Sequence, residues 1–232
     1  MNIFYQPALP ETTYLDHEES KHCIKVLRKQ VGDTIQIING KGNLYEAKIL
    51  AANHKKCSFQ VLSVLSQPSP SVYKHIAIAP TKNIDRIEWF VEKAVEIGID
   101  EISFIRCHNS ERSILKTDRI IKKAISAMKQ SYKYYLPKIN ELISYSDLLK
   151  REQNASLKTI AYVDFENPTQ LQSILAEKGS VLTLIGPEGD FSAQEIKQAT
   201  DLGYIKVALG NSRLRTETAG IVACHLMMLA SE

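Results

Sequence analysis

The sequence predicts an α/β protein in which a largely parallel sheet flanked by helices follows a small β-barrel carrying one helix. Three observations predict it. Up to residue 65, β-favouring stretches alternate with Gly-rich or polar turns. At 66–71, "SQPSPS" sets two prolines among serines, a composition that resists both helix and sheet ladder. Beyond it, short apolar runs alternate with amphipathic helices in the manner of βαβ units. A chain of 232 residues can bury a core without metal or disulfide staples. The proline segment divides it into a first domain, 1–68, and a second, 72–232.

In the first domain "TIQIING", "NLYEAKIL" and "CSFQVLSVL" read as strands, turned at "NGKGN" and "NHKK", and "EESKHCIKVLR" reads as a helix. The second domain opens on the strand "HIAIA". The helix "NIDRIEWFVEKAVEIG" follows, with Asn83 as N-cap, Ile84, Ile87, Val91, Ala94 and Val95 on one face, and Gly98 at its end. Next come the strand "EISFIRC", a helix near "TDRIIKKAISAMKQSY" and the strand "TIAYVDF". A helix is expected from Asn167-Pro168 to Gly179, then the strand "VLTLI". In "SAQEIKQATDLG", Ser192 and Glu195 have capping-box spacing. "IKVAL" is the last strand, and a final helix runs from about Thr216 to the end. Its "IVACHLMMLA" is apolar nearly all round, which requires burial on more than one side, in the core or at a subunit interface; His225 within it reads as a buried, satisfied side chain.

Composition narrows the function classes. Cys23, Cys57, Cys107 and Cys224 lie far apart without C-x-x-C or a metal-ligand spacing, so they read as free thiols and no metal site is expected. The start lacks a basic, apolar leader and no long apolar run occurs, so a cytoplasmic protein without a membrane span is expected. A net charge of +3 permits an anionic partner without requiring one.

Three strands deliver the chain into "ENP", "GPEGD" and "GNSRLR", and in open α/β sheets the carboxyl ends of strands line the ligand crevice. G-x-G-x-x-G and G-K-[ST] are both absent. Gly186, Gly189 and Gly210 would let bare backbone approach a flat ligand. Arg213 and Arg215 precede a helix whose first turn carries Glu217, placed either for the helix dipole or for chemistry. A guanidinium beside such a crevice suits phosphate or an anionic base.

"LIGPEGDFS" and "LGNSRLRTETA" resemble the two signature segments of the ribosomal RNA small subunit methyltransferase E family, 16S rRNA uridine N3-methyltransferases of the SPOUT superfamily. "HCIKVLRKQVGD", "IEWFVEKAVEIGI" and "NSERS" are similar to further family segments, in the same order. The resemblance implies a PUA-like RNA-binding barrel at 1–68 and a SPOUT domain with a trefoil knot at 72–232. It also implies a homodimer formed through the C-terminal domain, and S-adenosylmethionine held by Leu184, Ile185, Gly186, Glu188, Gly189, Leu209, Gly210 and Leu214. Two departures stand out. Gly189-Asp190 replaces the family's frequent Gly-Gly, and Lys129-Gln130-Ser131-Tyr132-Lys133 replaces its "EQSGR".

For methylation of uracil N3, whose proton is held well above neutrality, Arg215 is the expected stabiliser of charge on a uracil carbonyl, and Glu217 the candidate base or orienting group. Between Arg112 and Lys138 eight basic residues, among them Lys122, Lys123, Lys129 and Lys133, face Asp118 alone, with Tyr132, Tyr134 and Tyr135 interleaved for stacking. In the first domain Lys21, Lys25, Arg28 and Lys29 fall on one side of a helix, a face for RNA or simply a solvated one, and His22 carries the same two readings. The expected partner is 16S rRNA within the small ribosomal subunit. A SPOUT enzyme with another RNA target, and a non-catalytic RNA-binding or ribosome-assembly protein, are the alternatives these residues leave open.

Overall fold

The computed structural model describes residues 3–151, 155–163, 169–175 and 179–230. The chain forms two compact units. One comprises Met1–Ser69 with Ile125–Leu136, the other Pro70–Ala124 with Pro137–Glu232. The sequence places 125–136 in the second domain, but hydrogen bonds group it with the first: Gly42 N–H donates to Tyr134 O at 3.0 Å and Leu136 N–H to Gly40 O at 2.9 Å.

The first unit is a four-stranded sheet in the order β1-β2-β3-β4, with β1 Ile3–Tyr5, β2 Thr34–Ile38, β3 Asn43–Ala51 and β4 Ser58–Ser66. β1 runs parallel to β2 and the other pairs are antiparallel. Alternation in β2 and β3 sends Ile35, Ile37, Tyr45, Ala47 and Ile49 into one core with Phe4 and Phe59. The predicted helix exists as α1, His17–Lys21, capped by Asp16, and continues as a wider π-turn over His22–Val26.

The second unit holds a six-stranded sheet in the order β10-β8-β9-β5-β6-β7, every pair parallel. Its strands are β5 Val72–Ile78, β6 Glu101–Arg106, β7 Lys138–Ser144, β8 Leu157–Ala161, β9 Gly179–Ile185 and β10 Ile205–Val207. The helices are α2 Ile84–Ile97, α3 Thr117–Gln130, which continues into the first unit, α4 Tyr145–Arg151, α5 Ala193–Asp201 and α6 Thr216–Leu229. Asn83 caps α2 through Asp85 N–H, Gly98 closes it at φ +112°, and the Ser192/Glu195 capping box of α5 is complete. One face of the sheet, with Ala77, Ile160, Leu182 and Leu184, is covered by Tyr145 and Leu148 of α4 and by Phe191 and Ala199. On the other, α6 packs on α2, β5 and β9.

Two expectations need correction. In place of a helix ending at Gly179, the described residues 169–175 hold only a three-residue 3-10 turn, Leu171–Ser173, and Gly179 at φ +110° opens β9. The "ENP" loop lies outside the described residues. His225 is exposed, because α6 buries the stripe Gly220, Ala223, Cys224 and Met227 and turns His225 and Leu229 outward.

Candidate active site

The carboxyl ends of β8, β9 and β10 open on a cavity of about 420 Å3, a size suited to a small ligand. Ala161–Val163 follow β8, Ile185–Glu188 and Asp190 follow β9, and Val207–Arg215 follow β10; Thr216 and Ala219 of α6 and Arg86 of α2 complete the wall. Gly210 stands at φ +123°, and a Cβ there would meet nothing within 4 Å. Backbone conformation, with open space beside it, therefore selects glycine. The Thr216 hydroxyl donates to Gly186 O at 3.0 Å and ties the start of α6 to the β9 turn.

A brace holds that turn. Asn109 Nδ2 donates to Gly189 O at 3.0 Å and to Asp190 O at 3.1 Å, and Glu195 Oε1 accepts from His108 N–H at 2.7 Å. Arg112 donates from Nε to Thr81 O at 3.0 Å and from Nη2 to Lys82 O, while Lys82 N–H donates to Glu188 Oε1 at 3.0 Å. The "NSERS" segment is thus mechanical, locking the glycine turn against the end of β5. Burial pushes the neighbouring Cys107 thiol up, so it stays protonated and inert.

The structure gathers Ile185, Gly186, Glu188, Leu209, Gly210, Leu214 and Arg215 on the cavity wall. Two expected members are elsewhere: Leu184 is fully buried in the core, because strand alternation turns it from the cavity, and Gly189 backs onto Asn109. Glu217 is buried beside Arg86 rather than on the wall. Arg86 was missed in the sequence, where its i-spacing on α2 reads as an ordinary solvated position.

Several expected RNA-binding residues are already engaged. Arg112 serves the brace, Lys123 pairs with Glu92 at 2.9 Å, and Lys129 with Glu19 at 2.5 Å. His22 packs edge-on to Phe4 at 6.0 Å. Lys25, Arg28 and Lys122 are exposed and Lys133 is half-buried. The Tyr135 ring lies over Gly42 and its hydroxyl donates to Gln67 O at 3.0 Å, so of the three tyrosines Tyr132 is the exposed one.

A parallel-sheet domain with a glycine-turn cavity at its strand ends has the features of a ligand-binding α/β domain, and residues 67–228 match the RNA methyltransferase domain family. Residues 15–62 match the RNA methyltransferase PUA domain. The ribosomal RNA small subunit methyltransferase E of Mesomycoplasma hyopneumoniae is 31% identical over 78% of this chain and 79% of its own. The fold is similar to the crystal structure of a probable rRNA-methyltransferase from Porphyromonas gingivalis, with a TM-score of 0.92 and 40% identity over 100% of this chain and 98% of that one. It is also similar to a ribosomal RNA small subunit methyltransferase E from Neisseria gonorrhoeae bound to S-adenosyl methionine, with a TM-score of 0.85 and 26% identity over 99% and 97%. The chain belongs to the ribosomal RNA small subunit methyltransferase E family.

Proposed function

We propose that this protein methylates N3 of a uridine in the 16S rRNA of the small ribosomal subunit, with S-adenosylmethionine as donor. The observation that carries the reading is the cavity at the ends of β8, β9 and β10, in a chain whose relative of the same fold is bound to S-adenosyl methionine. Its wall fits that cofactor. Ile185, Val207, Leu209 and Leu214 offer apolar surface, Gly186 and Gly210 offer bare backbone, and Glu188 and Asp190 offer carboxylates to a cationic ligand. When bound, the cofactor supplies an electrophilic methyl group on a positively charged sulfur, which N3 takes as the sulfur keeps the electron pair of the broken bond.

The protein's own task is alignment and charge. N3 must shed its proton to solvent, and Arg215 would stabilise the charge left on a uracil carbonyl, a role supported by its exposed position on the cavity wall at the N-cap of α6. The strand order β10-β8-β9, with α6 returning onto β5, β9 and the turn Leu171–Ser173, supports the trefoil knot. The outward side of α6, with half-buried Ile221, Val222 and Leu226 and exposed His225 and Leu229, supports a homodimer formed through this unit. No helix among the described residues is long and apolar enough to cross a membrane, and the four cysteines are free and buried, which accords with work in the cytoplasm.

Mass mapping of 16S rRNA nucleosides tests the function. A strain lacking the gene should lose one 3-methyluridine, and the purified protein with S-adenosylmethionine should restore it. Restoration of a different methylated nucleoside, or of none, would remove the N3 assignment.

A further inference from the structure

Besides Arg213 and Arg215 of the loop before α6, the cavity wall holds a third guanidinium, brought from a different element. Arg86, in the first turn of α2, lines the cavity, and its Nε lies 3.8 Å from Glu217 Oε1. The exposures of the pair are opposite: the Arg86 side chain is 41% exposed, the Glu217 side chain 7%. Glu217 Oε2 is buried without a hydrogen-bond partner. Burying a carboxylate with one oxygen unpaired costs stability, and a solvated surface arginine would require no such counter-charge. The two helices that carry the pair are in close contact. A Cβ on Gly220 of α6 would stand 2.6 Å from the Phe90 ring of α2, so only glycine permits their approach.

Uracil chemistry calls for two cations. Loss of the N3 proton spreads negative charge over both flanking carbonyl oxygens, O2 and O4, and one guanidinium can serve only one of them. Cytosine carries an amino donor in place of O4, which a guanidinium, itself donor-only, cannot pair with. We propose that Arg86 is a catalytic residue that donates to the second carbonyl oxygen of the acceptor uracil, and that Glu217 is a positioning residue that aims it. The pair thereby also favours uridine over cytidine. This inference rests on the methyltransferase reading above.

The test compares Arg86→Ala, Arg86→Lys and Glu217→Gln with the unaltered protein in single-turnover methylation at saturating 16S rRNA and cofactor. S-adenosylmethionine affinity by calorimetry, expected to stay within about threefold, reports that the cavity is intact. Arg86→Ala should lose roughly 100-fold or more in rate, as for an oxyanion donor. The loss should shrink as pH rises and on RNA carrying 5-fluorouridine at the acceptor, whose N3 proton is more acidic. Arg86→Lys should recover part of the rate, and Glu217→Gln should lose less than Arg86→Ala with the same rescue. Independently of turnover, the ratio of affinities for short RNAs with uridine or cytidine at the acceptor should narrow in Arg86→Ala. An unchanged rate in Arg86→Ala, or a loss that neither pH nor 5-fluorouridine relieves, overturns the inference while leaving the function standing. Absence of methyl transfer by the unaltered protein overturns both.

Discussion

Besides Arg28 at φ +54°, two residues other than glycine occupy the left-handed backbone region: Asp190 at φ +61° and Tyr132 at φ +55°. An L side chain there costs roughly 1–2 kcal/mol, least for Asp and Asn. Asp190 offsets the cost locally, since its Oδ1 accepts from Phe191 N–H at 2.8 Å and Asn109 clasps its carbonyl. Asp190→Ala should therefore lower stability by about 1 kcal/mol, whereas Asp190→Gly should be close to neutral. Tyr132 has no such compensation. It ends α3, where Ser131 N–H donates to Ala127 O and Lys133 N–H to Met128 O, and the residue is 57% exposed. An exposed aromatic kept in a strained turn beside Lys133 suits base stacking. We expect Tyr132→Gly to raise stability by about 0.5–1 kcal/mol while weakening 16S rRNA binding several-fold, read from the denaturation midpoint and from fluorescence anisotropy. A variant that gains stability with unchanged RNA affinity would assign Tyr132 no part in binding.

At the scale of elements, β5, β6 and β7 enclose a polar cluster within the sheet. His75 Nε2 meets Ser103 Oγ at 2.8 Å, Asn140 donates to both Ser103 and Glu101, and Tyr73 donates to Glu101 at 2.8 Å. Burial, against a smaller opposing pull from Glu101, lowers the His75 pKa from 6.5 to about 4. Between those values the unfolded chain takes up a proton that the folded one refuses, so stability is full above pH 6.5 and falls on acidification towards pH 4. The loss is about 3 kcal/mol at most. His75→Gln should flatten this limb of the midpoint-against-pH curve, and coincident curves would refute the assignment. Nothing in "HIAIA" showed this burial, because alternation within a strand identifies a face but not what covers it. Strong local signals were legible: the Asn83 cap, Gly98, the Ser192/Glu195 box and the glycine turns all lie where the residues indicate. β1 escaped the sequence because it is three residues long, and β7 and α4 because polar residues interrupt their apolar ones. Arg112 as a brace and Arg86 on the wall depend on approaches between residues about 30 to 130 positions apart, which local patterning does not encode.

Across the whole molecule the net charge is +3, so RNA affinity depends on which cations remain available. The run from Arg112 to Lys138 is dense in sequence but largely committed. Arg119 pairs with Glu88 at 2.6 Å, Lys123 with Glu92, Lys129 with Glu19 and Lys138 with Glu101 at 2.8 Å. A different set converges in the first unit. Cys57 N–H donates to Ser20 Oγ and Leu15 N–H to Cys57 O, both at 2.9 Å, which fixes the β3–β4 turn beside α1. Repulsion from Lys25 first, and from Lys55, His17 and Lys21, lowers the His54 pKa, so these groups share one neighbourhood. Among the described residues no ion pair engages Lys21, Lys25 or Lys55. Each phosphate contact contributes about 0.7–0.9 to the slope of log affinity against log salt. Replacing Lys21, Lys25 and Lys55 together with Ala should therefore flatten the slope for 16S rRNA by about 2, with S-adenosylmethionine affinity unchanged. Lys123→Ala with Lys129→Ala should alter it little, since each already faces a carboxylate. If the second pair flattens the slope and the first set does not, RNA is held along α3 after all, and its ion pairs open on binding.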